Sequence, residues 1–201
     1  MNSKLLTMFF CLLFFGTLGL GAQDSRNSVD FNRRTLGDRA INFQLGSNLP
    51  LFWQPIDGPS QSLNMSMSML FGIEFGAHLT NEFRLNGAFK GNLHWGPNND
   101  ILFSIPLTFT GTYELKFYPF SIPFSLGPGI VILTYQDLLT TNFLIHAGTG
   151  FYWTQSRRWS YGVNLNYTWI PQLYNDNPVP KSHSGFANFM EVSFGIRHYF
   201  N

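Results

Sequence analysis

Residues 185–200 read GFANFMEVSFGIRHYF, and the parity of their side chains decides how the rest of the chain is read. Phe186, Met190, Val192, Phe194, Ile196 and Phe200 fall on one parity, while Glu191, Ser193, Gly195 and Arg197 fall on the other. A period of two with one apolar and one polar face belongs to a strand lying between two different environments.

Seven earlier segments repeat the pattern, and together they predict eight strands. The first is Arg39 to Ser47, with Ile41, Phe43 and Leu45 opposite Asn42 and Gln44. The second, Leu63 to Ala77, alternates Leu63, Met65, Met67, Met69, Phe71, Ile73 and Phe75 with Asn64, Ser66, Ser68, Leu70, Gly72, Glu74 and Gly76. The third, Phe83 to Trp95, sets Phe83, Leu85, Phe89, Leu93 and Trp95 against Arg84, Asn86, Lys90, Asn92 and His94. The fourth, Ile101 to Phe117, sets an aromatic and aliphatic face against Ser104, Thr108, Thr110, Thr112, Glu114 and Lys116. Less regular is the fifth, Ile122 to Thr134, which gathers Phe124, Leu126, Ile130 and Ile132. Asn142 to Trp153 and Trp159 to Trp169 are the sixth and seventh. Short links (His78 to Glu82, Tyr118 to Ser121, Thr154 to Arg158) alternate with longer ones (Asn48 to Ser62, Gly96 to Asp100, Gln136 to Thr141, Ile170 to Ser184). An up-and-down antiparallel barrel with turns at one rim and loops at the other has this rhythm.

The faces choose between a soluble barrel with an apolar cavity and a membrane barrel with an apolar outside. Between its first and last apolar members, no apolar face carries Asp, Glu, Lys or Arg. The opposite faces carry Glu74, Arg84, Lys90, Glu114, Lys116, Glu191 and Arg197 among Gly, Ser, Thr and Asn. Because a Lys or Arg at the lipid midplane costs about 2–4 kcal/mol, a bilayer enforces that exclusion. The reading is therefore all-β: an eight-stranded antiparallel transmembrane β-barrel, with Trp95, Tyr113, Phe117, Trp153, Trp159, Trp169 and Tyr199 expected at headgroup depth.

Composition agrees. Charged residues make up 11% of the chain and aromatics 17%, against about 25% charged in ordinary soluble domains. Lys4, the apolar run Leu5 to Leu20, and Gly21 and Ala22 before Gln23 have the form of a secretory signal peptide cleaved after Ala22. Cys11 lies in that run behind Met8, Phe9 and Phe10, without the small residues of a lipoprotein signal, so the mature chain has no thiol for a disulfide or a metal. Of 12 Lys and Arg and 11 Asp and Glu, only Lys4 leaves with the signal. The balance is then near zero, and no basic block suggests nucleic acid. Arg33, Arg34 and Arg39 read as a solvated tail. The domain plan is 1–22 signal peptide, 23–37 periplasmic tail and 38–201 barrel.

The signal, the eight amphipathic segments and the ending Phe194, Gly195, Ile196, Arg197, His198, Tyr199, Phe200 resemble the small outer-membrane barrels of the OmpX, OmpW and OmpA transmembrane-domain families. Asn201 after the final aromatic and the polar His198 depart from that pattern. The resemblance implies a bacterial outer-membrane protein with both termini in the periplasm and outer-membrane lipids around it. It also implies help from periplasmic chaperones and the barrel-assembly machinery, with Phe194, Gly195, Ile196 and Phe200 as the assembly signal.

Pairing through the short links sets Phe75 opposite Leu85, Glu74 opposite Asn86, and Arg84 opposite Thr112 and diagonal to Glu114. Arg84 is then flanked by Glu74 and Glu114, the heart of an interior ion-pair plug. Pro106, Pro123 and Pro128 each remove a ladder donor, and Pro128 is expected opposite Gly111, making Pro106, Gly111 and Pro128 a candidate lateral seam. Catalytic alternatives are His183 with Ser182 or Ser184, and His146 with Glu191, but sequence proximity does not make a nucleophile and base share a hydrogen bond. The expected role is accordingly non-enzymatic, cofactor-free and monomeric. It is membrane integrity or adhesion through loops at Pro50 to Ser62 and Gln172 to Ser184, where Phe52, Trp53, Tyr174 and Pro178 would meet a host or environmental ligand. An OmpW-like channel for small apolar solutes is second, and a lipid A modifying enzyme third.

Overall fold

The structure, a computed structural model, describes residues 33–63, 65–95, 101–135, 138–173 and 184–200. The expected signal peptide, most of the tail, Cys11, Ser182, His183, Tyr174, Pro178 and Asn201 lie outside them.

Eight strands follow one another: β1 (Arg39–Pro55), β2 (Ser68–His78), β3 (Phe83–Trp95), β4 (Ile101–Phe117), β5 (Phe120–Tyr135), β6 (Leu138–Thr154), β7 (Trp159–Gln172) and β8 (Gly185–Phe200). Each pairs antiparallel with the next, and β8 returns to β1 to close the ring. Closure gives every strand a neighbour on both sides, the condition for crossing hydrocarbon with strands. Arg39 pairs with Phe200, so both ends of the barrel wall sit at the rim of the short β2–β3, β4–β5 and β6–β7 turns. We call this the terminal end and the other the loop end.

Several boundaries differ from the sequence reading. β1 runs on to Pro55, ladder-paired with β8 as far as Gly185 after a register shift between Pro50 and Phe52. Residues 50–55, expected in a loop, are thus part of the wall. β2 begins only at Ser68, because Ser66 turns to bond Trp95: its N–H donates to the Trp95 carbonyl at 3.0 Å and its hydroxyl does so at 2.8 Å. β6 starts at Leu138, three residues after β5 ends at Tyr135, so the Gln136 to Thr141 link is shorter than expected.

The β2–β3 register is shifted by two residues from the expected one: Phe75 faces Gly87, Glu74 faces Ala88 and Asn86 faces Gly76. Thr80 sets it, its hydroxyl accepting the N–H groups of Glu82 and Phe83 at 3.2 and 2.9 Å and holding a tight turn. The β4–β5 register likewise places Gly111 opposite Leu126, not Pro128.

The two faces separate as their chemistry demands. Leu45, Phe71, Phe109, Leu126, Val163 and Phe194 point outward and are exposed, whereas Arg84, Lys90, Glu114, Glu191 and Arg197 are buried inside. Arg39 and Tyr199 depart from the expected placement. Arg39 has the outward parity, at the outermost residue of β1, where the wall reaches the rim. Tyr199, expected among outward aromatics, points inward and is buried, because it follows Arg197 by two positions on the same face.

Leu165 lies outward near the middle of β7. Replacing it with Arg is expected to destabilise the folded, lipid-inserted state by about 2–4 kcal/mol, measured by reversible denaturant unfolding in vesicles. A change under about 0.5 kcal/mol, the size of an ordinary surface substitution, would mean that this face does not meet hydrocarbon.

Candidate functional site

The described chemistry is concentrated inside the barrel, where an eight-stranded ring leaves room for little but side chains. The interior is layered along the barrel axis.

Nearest the terminal end, Glu114 gathers cations from three strands. Arg197 Nη1 donates to its Oε1 at 2.7 Å, Arg84 Nη1 stands 3.7 Å from the same oxygen, and Lys116 Nζ lies 4.0 Å from Oε2. Arg84 turns its other nitrogen to Glu74, Nη2 to Oε1 at 3.1 Å. It does so from opposite His78, a longer reach than the expected pairing required. Gly76 makes this reach feasible, since a Cβ there would sit 2.6 Å from Arg84 Cδ.

The Arg197 guanidinium also lies 3.9 Å over the ring of Tyr152. The Tyr152 hydroxyl donates to Asn164 Oδ1 at 2.8 Å and accepts from Asn42 Nδ2 at 3.0 Å, and Asn164 Nδ2 donates to Ser193 Oγ at 3.3 Å. A second pair lies nearer the loop end, where Glu191 Oε2 accepts from Lys90 Nζ at 2.5 Å and from Asn166 Nδ2 at 3.3 Å. His146 Nδ1 stands 3.3 Å from Thr168 Oγ1. The seven charged residues singled out in the sequence therefore lie inside the barrel in two separate ion-pair groups, Glu74, Arg84, Glu114, Lys116 and Arg197 in one and Lys90 with Glu191 in the other.

Toward the loop end the interior also holds an apolar cluster, set among buried Asn48, Asn92, His94 and Ser104, which the sequence reading did not anticipate. Val131, Leu144, Ile170, Ala187 and Phe189 form a buried cluster packed by Trp53, Leu63 and Leu133. These residues hold the inward parity, but they occur where both parities are apolar, as in Ile130 to Leu133, so alternation is silent there.

Two inner cavities among the described residues, one among the charged residues and one beside the apolar cluster, amount to about 20 Å³ each. That is room for about one water.

Each of three prolines interrupts the ladder on one side. The β3–β4 register skips from Phe89↔Leu107 to Asn92↔Ser104 across Pro106. The β4–β5 register skips from Thr108↔Gly129 to Gly111↔Leu126 across Pro128, and the β5–β6 register from Ser121↔Tyr152 to Phe124↔Thr149 across Pro123. Outside the Pro128 gap lies an apolar hollow of about 740 Å³, rimmed by Phe75, Phe89, Phe109, Ile130 and Phe143 over Gly87.

Glu114→Gln removes the one carboxylate that Arg84, Arg197 and Lys116 share. Losing one partner of a buried ion pair costs about 3–5 kcal/mol. The variant should lose its heat-resistant compact gel mobility at a clearly lower temperature than the parent, and an unchanged transition would count against the network.

A family model matches residues 21–198. An uncharacterized protein of Treponema pallidum (strain Nichols) is 26% identical over 130 residues, covering 65% of this chain and 58% of that protein. Neisserial surface protein A has a similar solved structure, with a TM-score of 0.61 at 10% identity over 82% of this chain and 97% of that one. The outer membrane protein OprG of Pseudomonas aeruginosa gives 0.59 at 11% identity over 86% and 100%. The outer membrane protein AlkL gives 0.54 at 11% identity over 90% and 97%. At these identities the likeness is one of fold. One family model spans residues 21–198 and the ring of eight strands is complete, so the chain has the fold of the small eight-stranded outer-membrane β-barrels.

Proposed function

We propose that this outer-membrane barrel serves as a closed structural body that presents its loop end to the surroundings and catalyses no reaction. The observation that carries the reading is the filled interior: ion pairs and amides packed with an apolar cluster toward the loop end, with cavities of about 20 Å³. A solute path would need continuous space along the axis, and a catalytic site would need a cleft open to substrate. His146 and Glu191 are engaged with Thr168, Lys90 and Asn166 inside the wall. Both termini are proposed to lie in the periplasm, where Phe194, Gly195, Ile196 and Phe200 would be read during assembly. The loop end offers apolar contact area at Leu51, Phe52 and Ile56, all exposed. It is braced by the mutual backbone bonds of Trp53 and Gln61, both 2.8 Å.

The hollow beside Pro128 favours a second reading, lateral passage of small apolar solutes between the bilayer and the barrel. Against it stands the wall behind the hollow, Thr108 and Leu144, both buried.

In planar bilayers the purified mature chain should give no sustained conductance, and proteoliposomes should take up a small apolar fluorophore no faster than protein-free ones. A steady conductance would overturn the closed reading. Faster uptake that disappears in Gly87→Phe, which fills the hollow, would establish the lateral one. Lipid A mass spectra of producing cells are expected to match those of cells without the protein, and loss or gain of an acyl chain would overturn the non-catalytic assignment.

A further inference from the structure

The leading arginines were expected to be solvated, but Arg34 is 5% exposed. It is folded across the terminal end, its backbone N–H donating to Asn81 Oδ1 at 2.7 Å and its Nη1 to the Arg157 carbonyl at 3.0 Å. Its guanidinium carbon lies 3.6 Å over the ring of Tyr199. One nitrogen, Nη2, is buried without a hydrogen-bond partner. Leaving a charged donor unpaired costs more than the bond itself would contribute, so the arrangement is complete only when an acceptor reaches it.

The space beside it is built for one. A pocket of about 490 Å³ is lined by Arg34, Arg157, Arg158, Asp38, His198 and Phe200, together with Tyr199. Three arginines and one carboxylate, Asp38, line it, and that carboxylate already accepts the Thr35 N–H at 2.9 Å. Guanidinium forks match phosphate oxygens in geometry as well as charge. Two parts of the chain far apart in sequence, 33–34 and 157–158, are joined here by the Arg34 bond to Arg157, and the Tyr199 N–H holds the second to β8 through the Arg158 carbonyl at 2.8 Å.

The position selects the phosphate's carrier. One wall of the pocket is the lipid-facing side of β8: His198 packs on Trp159 with centroids 4.5 Å apart and stacks on Phe200 at 6.1 Å. Strand-end aromatics of this kind lie at headgroup depth. A phosphate held among these arginines therefore sits beside the apolar flank of the barrel. We propose that this pocket is a binding site for the phosphate of an anionic phospholipid, with the acyl chains lying along β8 past Phe200.

Native mass spectrometry of the mature chain released from detergent with equimolar phosphatidylglycerol and phosphatidylcholine tests this. The wild type should retain phosphatidylglycerol preferentially. Arg157→Ala with Arg158→Ala should lower that retention by about tenfold, as for lost charge-assisted hydrogen bonds. Both side chains are exposed, and Arg34 bonds the Arg157 backbone, so the pair should fold with unchanged heat-modified mobility. The wild-type preference between the two lipids is a test that needs no variant. Equal retention of both lipids, or preference undiminished in the variant, would overturn the site. Displacement of bound phosphatidylglycerol by millimolar inorganic phosphate would identify free phosphate as the ligand and overturn the lipid assignment.

Discussion

A chain that crosses hydrocarbon as strands has to satisfy every backbone N–H and C=O within itself, and a closed ring of ladders does this by leaving no edge. The pairing of β8 with β1 is the bond on which the rest depends. It runs from Arg39↔Phe200 to Pro55↔Gly185, carrying β1 past its expected end, and it encloses the inward parity of all eight strands. Once parity is fixed, one set of side chains must tolerate acyl tails and the other must fill a space only wide enough for side chains.

The narrow interior explains why its charges are shared and not merely paired. Glu114 is approached by Arg84, Arg197 and Lys116, and Arg84 bridges on to Glu74. A lone charge in such a space would be desolvated at a cost of several kcal/mol. Removing any one member therefore leaves others uncompensated. Bulky members also need small ones: Gly76 makes room for Arg84, and Gly195 lies so close to the Tyr152 hydroxyl that no Cβ could be added without displacing it. The glycines of the polar faces are thus part of the packing of the ionic core. Above that core, Phe189, Ile170 and Val131 complete the filling without charge.

The prolines mark where the wall departs from a uniform ladder. Pro106, Pro128 and Pro123 interrupt three neighbouring seams in turn, while each keeps its pairing on the other side, to Val131, Ile145 and Glu114. Because the gaps are distributed over three seams, no single seam loses more than a short stretch of its pairing. The hollow at Gly87 lies beside the middle gap, and the filled interior stands behind it. Together with the arginine-lined pocket at the terminal end, these features give the outer surface more chemical variety than the sealed interior.

Alternation along the chain was enough to determine the strand class, the count of eight, the lipid-facing residues and the membership of the interior charged set. Each of these follows from parity, which a sequence carries directly. The bounds of β3, β4 and β8 were legible in the sequence. Register was legible only in part: Arg84 does face Thr112, but a shift of two preserves parity, and the Thr80 turn decides that Glu74 faces Ala88 and not Asn86. The apolar inner layer was hidden because both parities are apolar there. Arg34 was misjudged because its partners, Asn81 and the Arg157 carbonyl, are far away in sequence and meet it only in the folded barrel. Local pattern reports which environment a residue prefers, but which residues share that environment depends on contacts distant in sequence, and those exist only once the barrel has closed.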